Sequence, residues 1–397
     1  MKKLMSYGLI CYFMVGSMHV LFGSLLPLLI EEGGISPSMG GVLIFFQFAG
    51  FLIGIVISPF IIQKSNRLLT IFTFQGLLFM SIFGITLSLD LWSILCMGFL
   101  VGVSSGSLES TTGSLTLDQD NGDRAISILE VAFGIGALSF PLLINYSNYL
   151  SLDWRYILYG LCVLVLFNMV FYLKYHSQLK LFDKNVERYS EKTNKKTLNW
   201  QGNIGVIALF SVFAFFYAGL ETNFANYLPL LIQELLPETS VYLYSISAFW
   251  LGMIIGRLII GSLVNKIPNY VFIVFATFIS LITLGTITVI QNGGFLLINV
   301  FLIGFILAGI FPISLFNFTE QLKGEGASLT ASTLFIGSAS LGGSIFSLVI
   351  GPTIEFGGGT ITMYLFMGVC IVLIILSIFI LKRWRMRYTT SNHSSIS

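Results

Sequence analysis

The chain has 397 residues, of which 55% are hydrophobic and only 10% carry a charge, and its net charge is +2 at pH 7. A soluble domain has about a quarter charged residues, and a nucleic-acid-binding protein needs a concentrated basic face, which this nearly balanced chain lacks. The composition therefore excludes an ordinary soluble domain, argues against nucleic acid as a partner and predicts an all-α polytopic membrane protein embedded in a lipid bilayer.

Twelve hydrophobic runs are long enough to cross a bilayer, which takes about 20 apolar residues. In chain order they cover approximately residues 6–30, 38–63, 68–89, 91–117, 125–147, 155–175, 201–232, 240–264, 270–290, 294–319, 327–350 and 360–382. The first run continues past Pro27 without a small-residue cleavage pattern. We therefore expect a retained first span, not a signal peptide, and twelve transmembrane helices in all.

The positions of Lys and Arg predict the orientation of these helices. If the N-terminus is cytoplasmic, 18 of the 20 basic residues lie in cytoplasmic segments, and the two exceptions are Arg155 and Arg257. Cytoplasmic loops of membrane proteins carry such an excess of basic residues. We therefore expect a multi-pass protein with both termini in the cytoplasm.

One long polar stretch, residues 174–200, divides the chain into two parts of similar length. We expect an N-terminal six-helix bundle over residues 1–173 and a C-terminal six-helix bundle with a short cytoplasmic tail over residues 201–397. The polar stretch between them is then a cytoplasmic linker.

The two halves resemble each other in sequence. The run LPLLIEE at Leu26–Glu32 recurs as LPLLIQE at Leu228–Glu234, displaced by 202 residues, and the same displacement places His19 on Glu221. Two glycines of the second span, Gly50 and Gly54, recur at the same displacement in the eighth span as Gly252 and Gly256. Two parallel repeats of six helices, with a substrate site near the midplane between them, describe the major facilitator architecture.

Three carboxylates, those of Glu109, Glu130 and Glu221, lie well inside the predicted spans, where they must be paired, hydrated or protonated. Glu109 is a candidate for carrying a coupled proton, and the alternative is a structural, hydrogen-bonded carboxyl group. Glu130 lies about one and a half turns from a cytoplasmic loop, so it carries a proton, pairs with Arg124 or lines the inner gate. His19, with an ordinary pKa of about 6.5, is a further candidate for proton coupling, or else a hydrogen-bonded interior histidine.

Polar side chains and a tryptophan inside the spans are candidates for binding a substrate. Carboxamides both donate and accept hydrogen bonds, which suits a neutral polyol such as a sugar, and an indole can cover the apolar face of a sugar ring. The candidates are Gln47, Asn145, Glu221, Asn223, Asn226, Trp250 and Asn317. For Arg257 in the eighth span we expect a structural or gating ion pair.

The polar residues of the seventh span cannot all face one ligand if the helix is regular. At about 100° per residue, Asn223 and Asn226 lie about 60° apart, and Glu221 lies about 140° to 160° from them. Either the helix is distorted between Gly219 and Pro229, or the roles divide, with the two asparagines facing the substrate and Glu221 facing a neighbouring helix.

Signatures of enzymes and metal sites are missing from the sequence. It has no Walker A run and no HExxH, and its only G-x-S-x-G match, Gly102–Gly106, lies within a predicted span and not at a strand-to-helix turn. The cysteines lie in apolar segments without metal-ligand spacing, at positions Cys11, Cys96, Cys162 and Cys370. We expect no enzymatic activity, no metal site and no cofactor.

Several motifs spread over both halves resemble one branch of a known superfamily. They are Gly23-Ser24 before Pro27, Ile44–Gln47 with Phe51, Gly106–Ser114, Leu129–Val131, Phe133-Gly134, Gly136–Asn145, Glu221–Asn226, Gly256-Arg257 and Ala308–Pro312. With these motifs the chain resembles the fucose-permease-like branch of the major facilitator superfamily, and within it the bacterial glucose/mannose:proton symporters.

The resemblance implies a secondary active transporter of the bacterial cell membrane that imports a hexose with a proton by alternating access and works as a monomer. In that branch a carboxylate of the fourth span is implicated in proton coupling, and Glu109 occupies the matching position. The branch also has a carboxylate in the first span, where this chain offers His19 instead.

Two other functions remain open for the same fold. One is a proton-driven exporter of drugs or small metabolites, although the fourth span lacks the arginine of many antiporters and Gly136–Pro141 is only a loose echo of the exporter motif. The other is a sugar sensor that binds its ligand without moving it.

Overall fold

The computed structural model describes residues 2–87, 90–117, 119, 122–190, 200–237, 240–263, 269–289, 292–322 and 327–394, and these contain helices and no strand. The helices are α1 (Lys2–His19), α2 (Leu21–Gly33), α3 (Pro37–Lys64), α4 (Arg67–Leu87), α5 (Leu91–Leu117), α6 (Gly122–Tyr149), α7 (Arg155–Ser190), α8 (Trp200–Leu235), α9 (Ser245–Leu263), α10 (Asn269–Ile287), α11 (Gly293–Leu307), α12 (Ile310–Gln321) and α13 (Ala327–Ser394). A short 3₁₀ helix, Ser240–Tyr244, precedes α9.

Within the described residues, eleven segments are long and apolar enough to cross a membrane. Two of them join a pair of helices: α1 with α2, and α11 with α12. The last segment, Thr333–Arg383, has 51 residues. One crossing of the membrane needs only about 20 residues. The segment is interrupted at Gly358, whose φ of 74° and ψ of 175° are not helical and suit glycine alone. Counting two crossings there confirms the predicted twelve-helix class.

Helix α7 continues beyond the predicted end of the sixth span. It includes residues up to Ser190, so the first part of the predicted linker 174–200 is helical. Residues 191–199 of that linker lie outside the described residues.

Equivalent glycines allow equivalent helices to pack closely in the two halves. A Cβ atom on Gly50 would collide with the carbonyl oxygen of Phe99, and one on Gly252 would collide with that of Phe301. The contact in the second half therefore repeats the one in the first half, 202 residues later for both residues. Two further contacts repeat in the same way: Gly54–Val103 recurs as Gly256–Phe305, and Gly102–Gln47 recurs as Gly304–Phe249. The internal repeat seen in the sequence is therefore also a repeat of helix packing.

An even number of crossings places both chain ends on one side of the bundle. We call this the terminal side and the opposite side the distal side. On the distal side the halves meet at the start of α3: the backbone N–H of Ser38 donates to the Glu355 carboxylate over 2.9 Å. Close by, a Cβ on Gly41 would collide with the carbonyl of Ser347. The distal ends of the second and eleventh spans are thus closed against each other.

Candidate functional site

An ion pair joins the two halves near the terminal side. Arg257 of α9 donates from Nη1 to Oε2 of Glu130 on α6 over 3.0 Å, and their side chains are 29% and 40% exposed. Glu130 lies eight residues after Gly122, about 12 Å along the helix. The expected ion pair of Arg257 is therefore present, and its partner is Glu130. The side chain of Arg124, the partner weighed for Glu130, lies outside the described side chains.

Arg257 also interacts electrostatically with three other titratable groups: His19 of α1, Glu109 of α5 and Glu221 of α8. The guanidinium pairs directly with Glu130 and acts on the other two carboxylates only through its charge. A single positive charge cannot balance three negative charges at membrane depth, where an unpaired charge is very unfavourable. The cluster therefore requires bound protons to balance its charge, or water to hydrate the carboxylates.

Glu109 is the carboxylate of this cluster with an unpartnered buried atom. Its Oε2 is buried and accepts no hydrogen bond from any described residue. Its backbone carbonyl accepts a hydrogen bond from the Tyr12 hydroxyl over 3.3 Å, which ties α5 to α1 beside the carboxyl group. A carboxyl that is buried without a donor is more stable when it carries a proton.

His19 lies among aromatic rings from both halves. Its ring centroid is 4.9 Å from that of Phe48, 5.3 Å from Phe133 and 5.7 Å from Trp250, all in edge-on arrangements. His19 Nδ1 is buried without a hydrogen-bond partner among the described residues. The rings of Phe48 and Phe133 were not among the residues predicted for the site, because phenylalanine is so frequent in this chain that its positions carry no signal.

The first span is broken at His19. Helix α1 ends at His19, and Val20 has φ −106° and ψ 10° before α2 begins. Discontinuous helices at the midplane are typical of transporter binding sites, but no glycine or proline at this position announces the break. The tenth span has a similar interruption between α11 and α12.

The seventh span, by contrast, is one continuous helix through Gly219 and Pro229. Its polar side chains therefore face different neighbours. Asn223 donates to the carbonyl of Gly343 on α13 over 3.0 Å, while Asn226 donates to Thr222 within its own helix over 2.9 Å. The helix is regular, as in the second of the two arrangements considered for this span, but the two asparagines contact different helices, α13 and α2.

Several neutral polar atoms of the candidate binding residues are buried without partners in the described part of the chain. Gln47 donates from Nε2 to the carbonyl of Met18 over 2.6 Å, but its Oε1 is free. The other free atoms are Oδ1 of Asn223 and of Asn226, Nε1 of Trp250, and both amide atoms of Asn317. A buried unpaired polar group costs about 1–3 kcal/mol, so a group of them is typical of a surface that binds a polar ligand.

Asn145 is not part of this group. It lies near the distal end of α6, and its amide donates to the carbonyl of Leu243 across the boundary between the halves. It contributes to a separate pocket on the distal side.

Comparison with known proteins places the chain in a family. Residues 8–347 match the model of the Major Facilitator Superfamily. The glucose/mannose transporter GlcP of Bacillus subtilis (strain 168) is 36% identical over 387 residues, which cover 94% of this chain and 93% of that protein. An uncharacterized MFS-type transporter of the same bacterium, YfkL, is 24% identical over 91% of each chain.

A solved structure agrees with this result at the level of the fold. The crystal structure of a D-xylose-proton symporter superposes with a TM-score of 0.75 over 95% of both chains, at 13% identity. The relatives with names are transporters and not enzymes. This chain belongs to the Major Facilitator Superfamily.

Proposed function

We propose that the chain is a proton-coupled symporter that imports a hexose, of the glucose or mannose kind, across the bacterial cell membrane. It works by alternating access as a monomer, with the proton as coupling ion and no other cofactor. The terminal side, which carries 18 of the 20 basic residues, is the cytoplasmic side. The observation that carries the proposal is the cluster in which Arg257 pairs with Glu130 across the halves and interacts electrostatically with Glu109 and Glu221. The glucose/mannose transporter similar to this chain supports the choice of substrate.

The sugar in this proposal binds next to the charge cluster. Gln47, Asn223 and Asn317 offer buried amide atoms that have no partner among the described residues, and amides match the alternating donors and acceptors of a polyol. Trp250 offers its indole N–H to a hydroxyl group. The rings of Phe48 and Phe133 cover the apolar face of the sugar.

Asn226 takes part in binding only after a rearrangement. A Cβ on Gly23 would lie 2.7 Å from Cα of Asn226, so the first and seventh spans touch here and leave no room for a sugar. We expect the Asn226 amide to reach the substrate when these spans separate on the distal side.

Proton coupling in this proposal depends on competition for Arg257. When Glu109 carries a proton, one fewer carboxylate competes for the guanidinium, and Arg257 binds Glu130 of the other half more strongly. His19 packs against aromatic rings of both halves and interacts electrostatically with Arg257, so we take it as the second group of the coupling mechanism. Coupling of this kind is reciprocal, and the sugar therefore binds more tightly to the protonated carrier.

The test uses purified protein in proteoliposomes. We expect wild type to show counterflow of labelled glucose and sugar-driven proton uptake, whereas Glu109→Gln should keep counterflow and lose proton uptake. Full sugar-driven proton uptake by Glu109→Gln would exclude the coupling role of Glu109. Drug or metabolite efflux without sugar-driven proton movement would instead favour an exporter, and binding without counterflow would favour a sensor.

A further inference from the structure

A pocket between the halves lies on the distal side, away from the charge cluster. It has a volume of about 420 Å³ and is lined by α2, α6 and α8 together with the segment that leads into α9. Sites for small ligands have volumes of about 300–1,000 Å³. The pocket is therefore large enough to hold one hexose together with some water.

Polar groups surround the mouth of this pocket. Glu31, Asn148 and Gln233 line it and are exposed, and none of them makes a side-chain hydrogen bond to another described residue. A carboxylate accepts hydrogen bonds from hydroxyl groups, and the two amides can both donate and accept. With one carboxylate and no basic side chain in its lining, the pocket suits a neutral polyol better than an anion.

We call the proposed sugar site beside the charge cluster, with Gln47, Asn223 and Asn317, the central site. One contact between α2 and α8 separates the distal pocket from it. Ser24 and Pro229 line the pocket, and the contact between Gly23 and Asn226 lies directly behind them. Asn226 Oδ1 is buried there without a partner among the described residues. A ligand in the pocket would therefore be one helix contact away from the unpartnered amides of the central site.

The helices that form the pocket walls contain prolines. Pro27, Pro141 and Pro229 line the pocket, and each lies inside a helix. A proline inside a helix removes one backbone hydrogen bond, which leaves a carbonyl group of the wall free to accept a hydrogen bond from a ligand or water. Pro27 and Pro229 are also displaced by 202 residues, so the repeat places an equivalent proline on both sides of the pocket.

We propose that the distal pocket is a second, weaker hexose site that is occupied while the contact between Gly23 and Asn226 closes the central site from the distal side. Its ligand class and its position outside the cell depend on the proposed function. Its groups are exposed, so we expect it to bind D-glucose about ten-fold more weakly than the central site, because exposed groups must give up well-bound water.

The test measures equilibrium binding of radiolabelled D-glucose to the full-length protein in lipid nanodiscs. Wild type should bind two molecules per chain, in a tighter and a weaker class. The double variant Asn148→Leu/Gln233→Leu should lose only the weaker class, and Asn317→Leu should lose only the tighter one. Tyr149→Leu is the matched control, because Tyr149 is adjacent to Asn148, is 83% exposed and does not line the pocket; it should keep both classes.

Different results identify different failures. One class of site in wild type, removed by Asn317→Leu, would overturn the distal site and leave the proposed function intact. A weaker class that persists in Asn148→Leu/Gln233→Leu would also overturn this pocket as its location. Absence of D-glucose binding in wild type would overturn the proposed substrate and the distal site together.

Discussion

Arg257 is the residue on which the charge balance between the halves depends. It pairs with Glu130 over 3.0 Å and interacts with Glu109 and Glu221 from two further helices. A guanidinium stays charged at every working pH, so its charge also acts on carboxylates beyond the one with which it pairs. The sequence indicated an ion pair for Arg257, but the two partners are 127 residues apart, and one sequence contains no information about which distant helices touch.

Neutralising Arg257 should uncouple the transporter and destabilise it. Losing one partner of a buried ion pair lowers the stability by about 3–5 kcal/mol, whereas a surface pair contributes up to about 1 kcal/mol. This pair is partly exposed, so we expect a cost between these values. We expect Arg257→Gln to abolish proton-driven glucose accumulation and to lower the melting temperature. Accumulation in proteoliposomes and thermal unfolding in detergent measure the two effects.

A double variant separates the structural from the coupling role of this pair. Arg257→Gln/Glu130→Gln leaves no unpaired charge between the two positions, so it should recover most of the melting temperature without recovering accumulation. Arg155→Gln is the control, since Arg155 pairs with Asp153 on the distal side over 3.0 Å, away from the cluster. A double variant that accumulated glucose normally would contradict the coupling role of Arg257.

At the scale of helices, glycines decide how closely the halves approach each other. In α2, Gly23 is packed against Asn226 of α8, whereas no described residue has an atom within 4 Å of the place that a Cβ on Gly33 would occupy. The first and seventh spans can therefore touch on the distal side only because residue 23 has no side chain.

Gly23→Ala should favour opening of the distal side. The added methyl group would lie 2.7 Å from Cα and from the carbonyl oxygen of Asn226, so the closed arrangement is strained and an open one gains population. We expect faster alkylation by a membrane-impermeant maleimide of a cysteine placed at Ser347, which is fully buried at the contact with Gly41 on the distal side. Gly33→Ala, with open space around it, should leave the alkylation rate unchanged, and equal rates in the two variants would refute the role of this contact.

The helices themselves were easier to predict than their interruptions. Span lengths depend on local hydrophobicity, so the predicted 38–63 agrees with α3 within one residue at each end. The break at His19 and Val20 has no local signal, because neither residue is a helix breaker. In the seventh span Gly219 and Pro229 suggested a distortion that the continuous helix α8 does not have.

At the scale of the whole molecule, the two halves are closed against each other on the distal side. The Glu355 carboxylate accepts a hydrogen bond from the backbone N–H of Ser38, at the first turn of α3, where the helix dipole favours a negative charge. The contact joins the C-terminal half to the N-terminal half. The repeat and the twelve crossings could be read from the sequence, but which side is closed could not, because every alternating conformation has the same sequence.

Removing the charge of Glu355 should therefore shift the molecule toward a conformation that is open on the distal side. Glu355→Gln keeps the shape of the side chain but weakens the hydrogen bond to Ser38 and the interaction with the helix dipole. The reporter is Ser347→Cys, because Ser347 is fully buried at the contact with Gly41. It is placed in a Cys96→Ser background, since Cys96 is the exposed native cysteine.

We expect Glu355→Gln to increase the rate at which an impermeant maleimide alkylates the reporter by about three- to ten-fold, because a modest change in the balance between two states changes the population of the minor state by such factors. Glu234→Gln is the matched control: Glu234 is also exposed on the distal side, but its carboxylate makes no hydrogen bond to another described residue. An equal rate for Glu355→Gln and Glu234→Gln would mean that the glycine contacts alone hold the distal side closed. A slower rate for Glu355→Gln would mean that Glu355 opposes closure.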